Sequence, residues 1–252
     1  MRKNSQTLTT QSIPALIKQL AIPASIGMFF NTMYNVVDTF YAGLISTQAI
    51  SALTLSFMIF FLIIGFGYGF SSAITALLGN ALGKKRYKLA SIYAHKGLIF
   101  VPLIGLTLSI IGYFFAPSLF MFLGAKDEYL QISLDYINPI LFGAIFFMFN
   151  FSLNSILIAT GDTKTYRNSL IFGFFANLAL NPLFMYGFLF VPAMGIKGIA
   201  FATVLIQIIN MFYLFYKVLQ TKLIHFDKLE YFIPNLRIYK LFFTHGIPSS
   251  LN

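Results

Sequence analysis

Six long apolar runs constrain this chain more than any other feature of its sequence. They occupy approximately residues 22–45, 53–78, 98–115, 137–159, 169–191 and 199–216. A bilayer core about 30 Å thick takes roughly 20 apolar residues of helix, and each run is close to that length. Hydrocarbon does not tolerate unpaired backbone, and spanning strands would show alternating patterns in pieces of about 10 residues, so the runs read as helices. Composition agrees: of 252 residues, 58% are hydrophobic and 10% charged, which is more apolar surface than a soluble domain of this size can hide. The expected fold class is an all-α membrane protein, a bundle of six transmembrane helices. Residues 1–19 are too polar for the h-region of a signal peptide, so the first run is expected to remain in the mature protein. Cysteine and tryptophan are both absent. Disulfides and thiolate metal sites are therefore excluded, and tyrosine alone serves as the polar-tipped aromatic at the interfaces.

A net charge of +10 would suggest nucleic acid in a soluble protein, but here its distribution over the loops is the more useful quantity. Six spans place both ends of the bundle on one side. That side collects Arg2, Lys3, Lys18, Lys84, Lys85, Arg86, Lys88, Lys96, Lys164, Arg167, Lys217, Lys222, Lys228, Arg237 and Lys240, and the other has only Lys126 and Lys197. Fifteen against two predicts that both termini are cytoplasmic. The run GKKRYK at 83–88 fits the same topogenic role. It is not a phosphate-binding loop, because Gly79 and Gly83 are one residue too close and no Ser or Thr follows the lysine. No nucleic-acid partner is expected.

Within the first run, NVVDTFYAG at 35–43 carries Asp38, the one charge between residues 23 and 45. Asn31, Asn35 and Asp38 recur at i, i+4, i+7 and share one helix face. An ionised group facing lipid costs several kcal/mol, so this stripe must face protein or a water-filled cavity. In the fifth run Asn177 and Asn181 repeat the i, i+4 spacing just before Pro182, which is expected to weaken the helix by removing a donor. In the sixth, Thr203, Gln207 and Asn210 repeat i, i+4, i+7. Counting along the helix axis puts Asp38 about 10 Å below the outer end at residue 45, Asn181 about 15 Å below residue 191 and Thr203 about 6 Å below residue 199. The three faces are thus expected to meet in the outer half of the membrane. A desolvated carboxylate ringed by amide and hydroxyl oxygens suits a proton or a hard cation such as Na⁺. The alternative is an aspartate serving as packing glue through interhelical hydrogen bonds, a task that small residues perform at less cost.

Other features carry less chemistry. Glycines 65, 67 and 69, and likewise Gly79 and Gly83, are expected to permit close helix approach. Asp127, Glu128 and Asp135 read as a solvated face, and His95, His225 and His245 are too dispersed for a metal site. The Phe and Met residues read mainly as lipid-facing or core positions. After the sixth run, residues 217–240 form a basic stretch, read as a cytoplasmic linker or a surface-lying amphipathic helix. Then LIKQLAIPAS at 16–25 finds an echo in LFFTHGIPSS at 241–250, with identities at Leu16/Leu241, Ile22/Ile247, Pro23/Pro248 and Ser25/Ser250. The expected organisation is a six-helix lobe (1–216), a linker (217–240) and the start of a seventh span (241–252). The last dozen residues up to Asn252, at about 1.5 Å each, are too few to cross a bilayer, so the chain reads as roughly half of a duplicated transporter.

These residues resemble the multidrug and toxic compound extrusion (MATE) family of cation-coupled antiporters, which shares a superfamily with flippases for lipid-linked oligosaccharides. The resemblance rests on IPASIGMFFNTMYNVVDTFYAG in the first span, GNALGKKRYKLA after the second, ATGDTKTYRNS after the fourth, NLALNPLFMYG in the fifth and GIAFATVLIQ in the sixth. It implies one lobe of a twelve-helix protein in the inner membrane. It also implies an ion-coupling site at Asp38 with polar partners Asn177, Asn181 and Thr203, beside which the spacing sets a supporting polar face of Asn31, Asn35, Gln207 and Asn210. Some members carry a second aspartate in the fifth span where this chain has Asn181, so Asp38 is its one protonatable group there. No cofactor is implied beyond H⁺ or Na⁺ as the coupling ion, and the expected substrates are small organic, often cationic, compounds. Three other readings stand beside this one: a flippase for a lipid-linked amphiphile, a membrane enzyme, for which no catalytic constellation is found, and a non-transporting remnant lacking its second lobe.

Overall fold

The computed structural model describes residues 12–250. Arg2, Lys3 and Asn252 lie outside the described residues, as does the side chain of Leu16. The elements are α1 (Ile13–Ile45), α2 (Thr47–Gly83), α3 (Tyr87–Phe122), α4 (Asp127–Ala159), α5 (Lys164–Tyr186), α6 (Ile196–Gln220), a 3₁₀ turn (Leu229–Tyr231) and α7 (Leu236–Ser250). Helices α1 to α6 are each long and apolar enough to cross a membrane, which gives the six-helix bundle its composition demands. Most run past their apolar stretch by one or more turns. At 1.5 Å per residue, 33 to 37 residues make about 50 Å, so these helices reach through the headgroup layers on both sides.

The centre of the bundle is α4, which packs against α2, α3 and α6 and buries Ile137, Ile140, Leu141, Met148, Leu153 and Ile156. It also buries Ser133, Asn150, Ser152, Asn154 and Ser155, so its central place comes from packing on three neighbours and not from being apolar on all sides. In contrast, α1 leans chiefly on α5, with lesser contacts to α2 and α6, and turns Met28, Phe29 and Phe40 outward. Helix α7 lies along α2. A Cβ at Gly69 would overlap Ser250 Oγ and lie 2.5 Å from the Gly246 carbonyl oxygen, and one at Gly67 would overlap the Phe151 ring of α4. The close approach expected at these glycines is present. It is absent at Gly79 and Gly83, where a Cβ would meet nothing within 4 Å, so those two are not packing glycines.

The fifth helix ends five residues before its apolar run does. Gly187 (φ 77°) and Leu189 (φ 53°) turn the chain, and Phe188 and Val191 exchange backbone hydrogen bonds at 3.0 Å. Hydropathy carries no sign of this because residues 188–191 are as apolar as the helix before them. Pro182 does not interrupt α5. Asp135 is not part of a purely solvated face, since it pairs with Lys197 at 3.2 Å between the N-terminal parts of α4 and α6.

Residues 221–235 form no long surface helix. They run as an irregular strap held to the start of α3 by three side chains. Ser91 Oγ donates to the Leu223 carbonyl at 2.6 Å. His95 Nδ1 lies 2.7 Å from the Ser91 carbonyl, and Nε2 lies 3.0 Å from the His225 backbone nitrogen and 3.2 Å from the His225 carbonyl. Lys96 Nζ donates to the carbonyls of Glu230 and Ile233.

Candidate functional site

The polar groups of α1, α5 and α6 converge because these helices cross closely at the end of the bundle that carries the C-terminus of α5 and the N-terminus of α6. A Cβ at Gly198 would lie 2.5 Å from the Phe184 carbonyl group, so only glycine lets α6 approach α5 there. The earlier end of α5 also corrects the depth of Asn181. It lies five residues below Tyr186, or about 8 Å, while Asp38 and Thr203 each lie seven residues, about 10 Å, from the ends of their helices.

Asp38 is 3% exposed and Asn177 and Asn181 are fully buried. The Nδ2 atoms of Asn177 and Asn181 both donate to Asp38 Oδ1 at 2.8 Å, and Asn181 Nδ2 also approaches Asn177 Oδ1 at 3.2 Å. Thr203 Oγ1 donates to Asp38 Oδ2 at 3.4 Å, and the Tyr34 hydroxyl donates to Thr203 Oγ1 at 3.0 Å. One carboxylate oxygen therefore holds two amide donors, and the other has a single long hydroxyl contact. Among the described residues the one ion pair is Lys197–Asp135, so no fixed cation balances Asp38. Among the same residues no group of three His, Cys, Asp or Glu side chains comes together. A cation here would be held by one carboxylate and neutral oxygens, of which Asn181 Oδ1 is buried without a hydrogen-bond partner.

Beside Asp38 lies a cavity of about 70 Å³, also lined by Asn31, Asn35, Asn150, Gln207 and Asn210. The supporting residues border this space without touching the carboxylate. Asn35 donates to the Asn31 carbonyl of its own helix, and Gln207 receives the amide of Asn150 at 2.8 Å. Sequence reasoning missed two residues. Tyr34 lies four positions before Asp38 on the same face, the spacing that singled out Asn31 and Asn35, and was findable. Asn150 sits on α4 and was equally findable, since Asn150 and Asn154 repeat the i, i+4 spacing in an apolar run.

A family model described as MatE matches residues 23–183. The chain belongs to the MatE family. It is 29% identical over 262 residues to the probable multidrug resistance protein YoeA of Bacillus subtilis (strain 168), covering 100% of this chain and 56% of that protein. It is 26% identical over 201 residues to an FAD transporter of Shewanella oneidensis, covering 80% of this chain and 44% of that one. The fold superposes on a crystal structure of a MATE in the bent conformation with a TM-score of 0.88 at 27% identity, covering 99% of this chain and 55% of the other. The chain thus spans about half the length of the relatives it matches. MatE relatives are transporters and not enzymes, and three of the site residues, Asp38, Asn177 and Asn181, fall within the matched segment.

Proposed function

We propose that this chain forms the ion-coupling half of an antiporter that exports organic compounds, with Asp38 as the carboxylate whose occupancy by H⁺ or Na⁺ changes during the cycle. The observation that carries the reading is a buried carboxylate with amide and hydroxyl partners but no counter-ion. A desolvated carboxylate in hydrocarbon is costly, and a mobile cation or proton is the partner that can balance it and then leave. Asn177, Asn181 and Thr203 hold the carboxylate in place, and Oδ2, the less engaged oxygen, is where a proton or ion would add. Since Asn181 does not titrate, this cluster handles one charge per cycle.

The cavity beside Asp38 is large enough for a few water molecules, yet well below the several hundred Å³ that a drug-sized molecule occupies. It suits the coupling ion. The organic substrate would then bind between this lobe and the half that the longer relatives carry in addition. Relatives named for multidrug resistance and for FAD suggest amphiphilic organic substrates. The loop charges support a location in the cytoplasmic membrane with both termini inside. The flippase reading is weaker because Lys197, the cation nearest a span at the outer end, is neutralised by Asp135.

The test is Asp38→Asn in a protein that carries this chain at the length of its relatives, reconstituted in proteoliposomes. Gradient-driven efflux should fall to the level of empty vesicles with membrane insertion unchanged, and imposing pH and Na⁺ gradients separately identifies the ion. Efflux that survives the substitution would remove Asp38 from the coupling role.

A further inference from the structure

At the basic end of the bundle, far along the chain from Asp38, the helices and the strap border a second, half-open cavity of about 620 Å³. Lys88 of α3, Lys217 of α6 and Lys222 and Lys228 of the strap line it together with His225, and its one acidic residue is Asp162. That acid is already occupied, since its Oδ1 accepts the Thr165 N–H at 3.0 Å and its Oδ2 the Thr165 hydroxyl at 2.6 Å. Because the one ion pair among the described residues is Lys197–Asp135, none of the four lysines has a carboxylate partner. Lys217 and Lys228 instead stand 5.9 and 5.5 Å from the ring centroids of Tyr213 and Tyr231.

Topogenic charge accounts for lysines on this side of the membrane. It does not account for four of them lining one concave space with a fixed wall. The wall is fixed because Ser91, His95 and Lys96 clamp the strap backbone, and the hydroxyls of Ser91 and Thr221 are spent on carbonyls. Donors left over include the ammonium groups, His225, the Gln220 amide and the hydroxyls of Tyr87 and Tyr231, all suited to an oxyanion. The volume lies within the range of small-molecule sites and exceeds what a lone inorganic phosphate fills.

We propose that this pocket binds a phosphate-bearing anion, whose contacts to Lys88, Lys217, Lys222 and Lys228 tie the strap to α3 and α6. An anionic phospholipid headgroup and a soluble phosphate compound share this chemistry, and two probes separate them. Dioleoylphosphatidylglycerol is offered in nanodiscs of phosphatidylcholine and its retention counted by native mass spectrometry. Inorganic pyrophosphate is offered to the detergent-solubilised protein. At least one should bind. Lipid alone assigns a headgroup, pyrophosphate alone a soluble ligand, and both a site for the phosphate group itself. The variant K88Q/K217Q/K222Q/K228Q should lose about 100-fold in affinity, whereas K84Q/K85Q/K164Q/K240Q, which removes equal charge outside the pocket, should lose less than about 3-fold. Binding of neither probe, or equal weakening by both variants, overturns the proposal. Should the first variant fail to insert, acetylation of the unaltered protein decides the matter. The bound probe must slow modification of the four pocket lysines while Lys84 and Lys85 react as before, and lack of that protection overturns the proposal equally.

Discussion

Asp38 Oδ1 accepts from two amides that belong to one helix, one turn apart. Such a pair holds the carboxylate by geometry as well as by charge, since Asn177 and Asn181 reach it only while α5 stays helical through Pro182. Hydrogen bonds to charged groups contribute about 1.5–3 kcal/mol each, and residues that share one should not act independently. In a double-mutant cycle on thermal stability, Asn177→Ala and Asp38→Ala are expected to couple by about 1–3 kcal/mol, whereas Asn35→Ala, whose amide serves only the Asn31 carbonyl, should couple to Asp38→Ala by less than about 0.5 kcal/mol. Equal coupling in the two cycles would mean that the Asn177 bond does not hold the carboxylate. At this scale the site was legible because a charge or amide in an apolar run cannot be filler, and Asp38, Asn177, Asn181 and Thr203 announce themselves that way. Tyr34 did not, because a tyrosine is common at membrane interfaces. Asn150 meets the same criterion as the others, and the signal at Asn150 and Asn154 was passed over.

Helix existence and helix ends obey different physics, which is why one was readable and the other was not. Twenty apolar residues in a bilayer have little alternative to a helix, so all six spans follow from hydropathy. The end of α5 is decided by Gly187 in a left-handed conformation and by two backbone hydrogen bonds, neither of which alters the apolar count. Glycine spacing was likewise a partial guide. Gly69 faces a neighbour and Gly79 does not, because α7 lies against only part of α2. Gly69→Val should destabilise the α2–α7 contact by about 1–3 kcal/mol, the usual cost of overpacking, and lower the thermal midpoint, while Gly79→Ala should leave the midpoint unchanged or raise it slightly. Equal tolerance at the two positions would mean that α7 does not pack on α2 in the membrane.

For the molecule as a whole, the placement of Asp38 near one face acquires a direction only from the asymmetry of the loops. Fifteen Lys and Arg on one side against two on the other should orient the bundle so that the carboxylate lies nearer the outside, and the strap with its basic pocket nearer the cytoplasm. That arrangement would put Asp38, the proposed coupling group, on the side from which an inward ion gradient delivers its ion, and the basic pocket beside the leaflet richest in accessible negative charge. The orientation can be tested directly because the chain has no native cysteine. Lys84→Cys, at the exposed C-cap of α2, and Lys126→Cys, at the exposed N-cap of α4, each give a single thiol on opposite ends of the bundle. A membrane-impermeant maleimide applied to intact cells should label Lys126→Cys and spare Lys84→Cys, and inverted vesicles should reverse the pattern. The opposite pattern would place Asp38 nearer the cytoplasm, where an inward gradient would have to drive its ion most of the way across the membrane before reaching the carboxylate, and Asp38 would then be a poor candidate for coupling.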